Sequence, residues 1–339
     1  MRPAARGEWL AYVLGGLPGA LLALGAATGA LSERVALALF APSFICLNLA
    51  HMASAWGHAY LDPPGWRGGR GERVVVPAVL VAGALCADAL GAGAILLAAQ
   101  YWLSLHHAAM QNYGILRASQ RRAGRVLTAP SLRIDQAACV LTTLGALGVR
   151  ARAVCGVYDG AALPVPPAWL AYGLLAAGGT ALVAFVAREA VAAARGEPVD
   201  PLGVILVIST NLLWPALLIG LPHPALPLYA IASGHYIQHL YFVWRRPPTR
   251  AWFTALPSRL ARWMAPPARV GYLAGLTAAG AAVVLLLTCA TAGARALATT
   301  TGVRTGVEQS VPPWLAAMIG VNLWHYWIES RVWRGPAAR

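Results

Sequence analysis

The chain of 339 residues contains no lysine, and only 11% of its residues are charged. Soluble domains carry about 25% charged residues. Hydrophobic residues make up 58% of the chain, and apolar runs near the ~20 residues that cross a bilayer recur along its length. The composition therefore predicts a membrane protein that crosses the bilayer several times.

Cysteine is scarce and scattered. The five cysteines include no C-x-x-C pair, which excludes a disulfide framework and a thiolate metal site. Several catalytic motifs are also missing: H-E-x-x-H of zinc proteases, G-x-S-x-G of serine hydrolases and the phosphate-binding loop ending in Lys-Ser or Lys-Thr. The acidic residues lie singly, so the sequence lacks the paired carboxylates that would indicate diphosphate chemistry.

Helices and closed barrels are the two structures that satisfy the backbone inside lipid. The apolar runs are too long and too uniform for barrel strands. We therefore predict an all-α, polytopic transmembrane bundle of about ten helices, forming a single domain over residues 1–339. The predicted segments are 9–31, 35–60, 74–90, 92–116, 134–149, 168–187, 201–221, 225–244, 270–294 and 312–330.

Arginine sets the predicted orientation. With a cytoplasmic N-terminus, 21 arginines fall on the cytoplasmic side of these segments and five on the other. This asymmetry follows the positive-inside rule and predicts that both termini are cytoplasmic, in a bacterial inner membrane. Residues 247–269 mix aromatic and basic side chains and predict a cytoplasmic helix lying at the membrane surface. The same rule accounts for the net charge of +14, so no nucleic-acid partner is expected.

Histidine is the most informative residue type. Seven of the eight histidines lie toward the cytoplasmic end of four predicted segments, within roughly 6–17 Å of the boundary at 1.5 Å per residue. His223 lies on the opposite side and is assigned to a loop. The seven are His51, His58, His106, His107, His235, His239 and His325.

Helical spacing places these histidines on polar faces. Residues three, four or seven apart share a face, and such faces turn away from lipid. His106 points away from His107, because neighbours on a helix are ~100° apart. The predicted faces are Asn48, His51, Ala55 and His58; Gln100, Ser104, His107 and Gln111; His235 and His239; and Asn322, His325 and Glu329.

Imidazole and carboxylate groups at one depth predict a metal site near the cytoplasmic face. One or two ions are expected, iron first, with copper, zinc or haem as alternatives. Groups that hold ligand orientation are expected beside them. The predicted ligands are His51, His58, His107, His235, His239, His325 and Glu329, with His106 as a further candidate. The predicted supporting groups are Asn48, Gln111, Asn112, Tyr236, Asn322 and Tyr326.

The histidine placement resembles that of integral-membrane di-iron oxygenases, the desaturases and hydroxylases, and of carotene-cleaving dioxygenases of the Brp/Blh type. Of the desaturase histidine boxes, His235-x-x-x-His239 alone fits, and no family residue is carried over. The resemblance implies an oxidoreductase that acts on an acyl chain, isoprenoid or carotenoid and draws on a separate electron donor.

Two other functions remain open. A b-type haem protein would use facing histidines such as His51 and His235 as axial ligands. A transporter of protons or metal ions would line a path with polar residues, but polar residues in the outer halves of these segments are sparse.

Overall fold

The protein is all-helical over the residues that its computed structural model describes, with no strand among them. Those residues are 6–56, 69, 71–155, 165–221, 226–245, 274–275, 277–283, 285–286, 289 and 313–332. The predicted all-α class is confirmed for this part of the chain.

The helices follow the apolar runs of the sequence. Within the described ranges they are α1 (Arg6–Tyr12), α2 (Leu17–Ala27), α3 (Glu33–Trp56), α4 (Glu72–Ala89), α5 (Gly93–Arg122), α6 (Ala129–Cys155), α7 (Ala168–Ala194), α8 (Pro201–Gly220), α9 (Leu226–Arg245) and α10 (Pro313–Val332). Helices α5 and α6 continue past Arg117 and Arg150, the arginines at which the predicted membrane segments 92–116 and 134–149 end.

Four stretches of the described chain are long and apolar enough to cross a membrane. They are Gly7–Ala27, Ala129–Ala151, Ala168–Ala194 and Pro201–Gly220. This is consistent with a membrane protein. The total number of crossings and the side on which the termini lie stay predictions.

The chain forms two compact units. Unit 1 comprises residues 1–44 and 101–241, and unit 2 comprises residues 45–100 and 242–339. In unit 1, one apolar cluster joins Ala109 and Leu116 of α5 to Phe185 of α7 and Val207 of α8. The helices approach closely at glycine: a Cβ at Gly178 would lie 2.4 Å from the backbone nitrogen of Thr142.

The first predicted segment, 9–31, is broken in unit 1 between α1 and α2. Pro18 occupies the first turn of α2, where the missing N–H costs nothing. The break and the start of α2 pack on α9 through small residues. A Cβ at Gly234 would lie 2.8 Å from the Cα of Gly16, and one at Gly19 would lie 2.9 Å from the Cα of Ala230. Such close backbone contacts are typical of membrane helix pairs.

Unit 2 is held by contacts of α10 with α3 and α4. A Cβ at Gly320 would lie 2.6 Å from the Cα of Val81, so α10 and α4 touch through their backbones. The rings of Trp56 and Trp324 are stacked, with centroids 4.9 Å apart and an interplanar angle of 16°. These contacts fix α10, which carries two of the predicted ligands.

Candidate metal centre

Helix α10 presents an imidazole and a carboxylate on one face. His325 and Glu329 are four residues apart, and His325 Nε2 lies 3.4 Å from Glu329 Oε1. Successive turns of a helix bring such positions together. The local geometry of one helix therefore forms two thirds of a ligand set.

Helix α3 brings a second imidazole to the same point. His51 Nε2 lies 2.8 Å from His325 Nε2 and 4.0 Å from Glu329 Oε1. The two rings have centroids 4.4 Å apart and are inclined by 64°. All three residues are 1% exposed, so these polar atoms face one another in a setting closed to water.

The spacing of these three atoms fits a metal ion. A triangle with sides of 2.8, 3.4 and 4.0 Å has its centre about 2.0 Å from each corner. Metal–nitrogen and metal–oxygen bonds in proteins are about 2.0–2.2 Å for a zinc-sized ion. An ion at this centre would therefore lie at an ordinary bond length from all three atoms.

Other side chains of unit 2 support this triad, which comprises His51, His325 and Glu329. Ser54 Oγ donates to the carbonyl of His51 at 2.7 Å. Gln100 Nε2 donates to the phenol oxygen of Tyr326 at 3.0 Å, and the Tyr326 ring centroid is 5.7 Å from that of His325. The sequence predicted Tyr326 as a supporting group. It placed Gln100 on a polar helix face but did not predict that Gln100 bonds to Tyr326.

The predicted histidines of unit 1 lie on α5 and α9. The rings of His107 and His235 have centroids 5.0 Å apart at an angle of 83°, and His239 is buried. His106 is exposed, whereas His107 is partly buried. The Tyr236 ring centroid lies 5.5 Å from that of His235.

Gln111 holds the main chain at His235. Its Nε2 donates to the His235 carbonyl at 3.0 Å and to Gln238 Oε1 at 3.2 Å. Gln238 Nε2 then donates to the carbonyl of Tyr12 at 2.9 Å. Gln111 was predicted to orient an imidazole ring; its hydrogen bonds go to the backbone and to Gln238, which the sequence analysis missed.

Three predicted supporting groups, all asparagines, differ in their burial. Asn48 and Asn322 are partly buried, and Asn112 is fully buried. Four further predictions lie outside the described residues: His58 as a ligand, His223 as a loop residue, most of the segment 270–294 and the surface helix at 247–269.

A polar network in unit 1 was also missed. Arg122 reaches Glu8 at 2.8 Å and Asp200 at 3.2 Å. Burial opposes the charge of Arg122, but the Asp200 hydrogen bond and the two carboxylates raise its pKa above the usual value. The same network includes Asp135, which accepts from Arg188 at 2.5 Å and from Gln120 at 2.9 Å. These residues come from α1, α5, α6 and α7, and from the N-cap of α8.

Comparison of the chain with protein families, curated proteins and solved structures finds no match. The functional argument therefore depends on the site itself.

Proposed function

We propose that this protein is an integral-membrane, non-haem metal-dependent oxidoreductase acting on a lipid-soluble substrate. One observation carries the proposal: His51, His325 and Glu329 direct two imidazole nitrogens and one carboxylate oxygen at a buried point about 2.0 Å from each. Imidazole and carboxylate groups gathered in this way in a membrane protein are typical of a functional site.

The donor set favours iron. Two histidines and one carboxylate, with other positions left open, are the ligands of the non-haem Fe(II) oxygenases. Zinc also accepts this set, so zinc is the second expectation. When bound, iron would supply dioxygen activation. The protein's own contribution is to hold three ligands in place and to keep bulk water away.

A lipid-soluble substrate agrees with the surface of unit 2. The α4 side chains Val74, Val75 and Val79 are all exposed, and apolar side chains exposed along a helix suit contact with lipid. Such a surface lets an acyl chain, isoprenoid or carotenoid approach from the bilayer. We place the protein in a bacterial inner membrane as a multi-pass protein with cytoplasmic termini, on the strength of the arginine asymmetry. A separate electron donor belongs to the same proposal.

Metal analysis tests the proposal. The full chain is purified in detergent and its transition-metal content and optical spectrum are measured, for the unmodified protein and for His51→Ala, His325→Ala and Glu329→Ala. We expect about one ion or more per chain in the unmodified protein, with iron above zinc and copper, and a large loss in each variant. His106→Ala is the matched control, because His106 is exposed, and should retain the metal.

Two results would contradict the proposal. Less than one equivalent of every transition metal would make the triad a hydrogen-bonded group without an ion. An intense haem band that disappears in the His51→Ala variant would favour the haem protein instead. Oxygen consumption with a membrane-lipid extract, lost together with the metal, then tests the reaction class.

A further inference from the structure

Two buried asparagines of unit 1 have amide oxygens with no hydrogen-bond partner among the described residues. Asn112 on α5 is 1% exposed and Asn211 on α8 is 3% exposed. The Oδ1 atoms of both are buried and unsatisfied. More than nine in ten buried polar atoms in proteins have a partner, so two such oxygens require an explanation.

The packing of α5 against α8 places Asn112 about one helical turn from the level of Asn211. Ser119 Oγ donates to Asp200 Oδ2 at 2.5 Å, and a Cβ at Gly203 would lie 2.9 Å from Leu116 Cδ1. Further along, Leu105 and Trp214 belong to one apolar cluster. The helices are therefore antiparallel. Counting along both helices from the contact between Leu116 and Gly203 sets Asn112 level with Val207.

The side chain of Asn211 reaches back to this level. Its Nδ2 donates to the carbonyl of Val207 at 2.8 Å, one turn earlier in α8, as side chains tilted toward the helix N-terminus allow. Asn112 shares a face of α5 with Ala109 and Leu116, which belong to the same apolar cluster as Val207. This register puts Asn112 and Asn211 within about one helical turn of each other along the packed helices.

We propose that Asn112 and Asn211 form a binding site for the hydroxyl group of an otherwise apolar molecule. An unsatisfied amide oxygen accepts, so its partner must donate, and a hydroxyl is the smallest donor that an apolar chain carries. The neighbours Ala109, Leu116 and Val207 are fully buried and apolar. A few polar groups in an apolar lining are typical of a small-molecule site.

This inference goes beyond the proposed function, because a binding site for an alcohol in unit 1 needs no metal. The two can therefore fail separately: an alcohol can bind at Asn112 and Asn211 whether or not His325 holds an ion.

Photolabelling of the full chain in nanodiscs tests the site. The probe is a long-chain alcohol that carries a diazirine, and labelled peptides are located by mass spectrometry. We expect the probe to label α5 and α8 and the plain alcohol to compete with this labelling. The methyl ether of the alcohol has the same chain and oxygen but no donor, so it should compete at least about tenfold more weakly. The matched alkane should compete as poorly as the ether.

Variants make the test residue-specific. Asn112→Leu and Asn211→Leu should each lower labelling several-fold, whereas Thr180→Val, at an exposed position where Thr180 Oγ1 donates to its own helix at Ala176, should not. His325→Ala should label like the unmodified chain. Equal competition by alcohol and ether in the unmodified protein would overturn the inference. Leucine variants that are both labelled as strongly as the unmodified protein, and that unfold at a higher temperature, would also overturn it.

Discussion

His51 Nε2 and His325 Nε2 lie 2.8 Å apart although the two positions are separated by 274 in sequence. Their separation is set by the packing of α3 on α10, in contrast to the pair His325 and Glu329, which one helix sets alone. The triad therefore combines a local element with a long-range one, and each can be perturbed separately.

Removing only the charge of Glu329 should weaken metal binding. Glu329→Gln keeps the size of the side chain but replaces an anionic oxygen ligand by a neutral one, so we expect the metal affinity to fall at least about tenfold. Metal titration of the metal-free protein measures this. Glu197→Gln changes an exposed carboxylate of unit 1 and should leave the affinity unchanged; an equal loss in both variants would point to a general effect of charge.

Acid should release the metal. Imidazole and carboxylate ligands bind metal in their deprotonated forms, so protons compete for the same atoms and the bound fraction falls as pH falls. Equilibrium dialysis at a series of falling pH values measures the bound ion. A bound fraction independent of pH would argue against histidine ligands.

Displacing α10 should also weaken the site. A Cβ at Gly320 would lie 2.6 Å from the Cα of Val81, so Gly320→Ala must shift α10 away from α4. We expect a loss of about 1–3 kcal/mol in stability together with reduced metal content. Gly83→Ala is the control, because a Cβ there meets no described atom within 4 Å, and it should be neutral or slightly stabilising.

The polar network of unit 1 should contribute to stability. Asp135 is 0% exposed, and its replacement by alanine leaves Arg188 without that partner. Breaking a buried ion pair costs about 3–5 kcal/mol; since Arg188 is partly exposed and also contacts Glu189, we expect about 2–3 kcal/mol. Thermal or denaturant unfolding in detergent gives the value. Glu197→Ala should change stability little, and a similar result for Asp135→Ala would show that the network is dispensable.

His107, His235 and His239 are predicted from the sequence to be ligands of the same metal site as the triad, and this stays a prediction. It implies that His235→Ala lowers metal content as strongly as His325→Ala does, because the ligands would share one centre. Metal content that depends on the triad alone would restrict the site to unit 2. His106→Ala again serves as the control on α5.

Features with a local cause were accessible from the sequence. Apolar runs predicted the helices, and spacing along a helix placed His325 and Glu329 on one face. The Gly15-Gly16 pair followed by Pro18 could have revealed the break between α1 and α2, since proline and glycine mark helix ends.

Features that depend on packing were not accessible. Glu8, Asp135 and Asp200 each appear alone in the sequence, and only the arrangement of the helices determines which arginine each one meets. The partner of Gln100 and the backbone role of Gln111 depend in the same way on neighbouring helices. The spacing pattern identified His51 as a ligand candidate, but its distance to His325 required the packing of α3 on α10.

The position of α10 has a consequence for biosynthesis. Ribosomal synthesis proceeds from the N-terminus, so α3 with His51 is made long before residues 313–332 exist. His325 and Glu329 lie on the last of the described helices, so a nascent chain that stops short of α10 carries just one member of the triad. Metal loading would then act as a late checkpoint, passed only by chains whose translation has reached this helix.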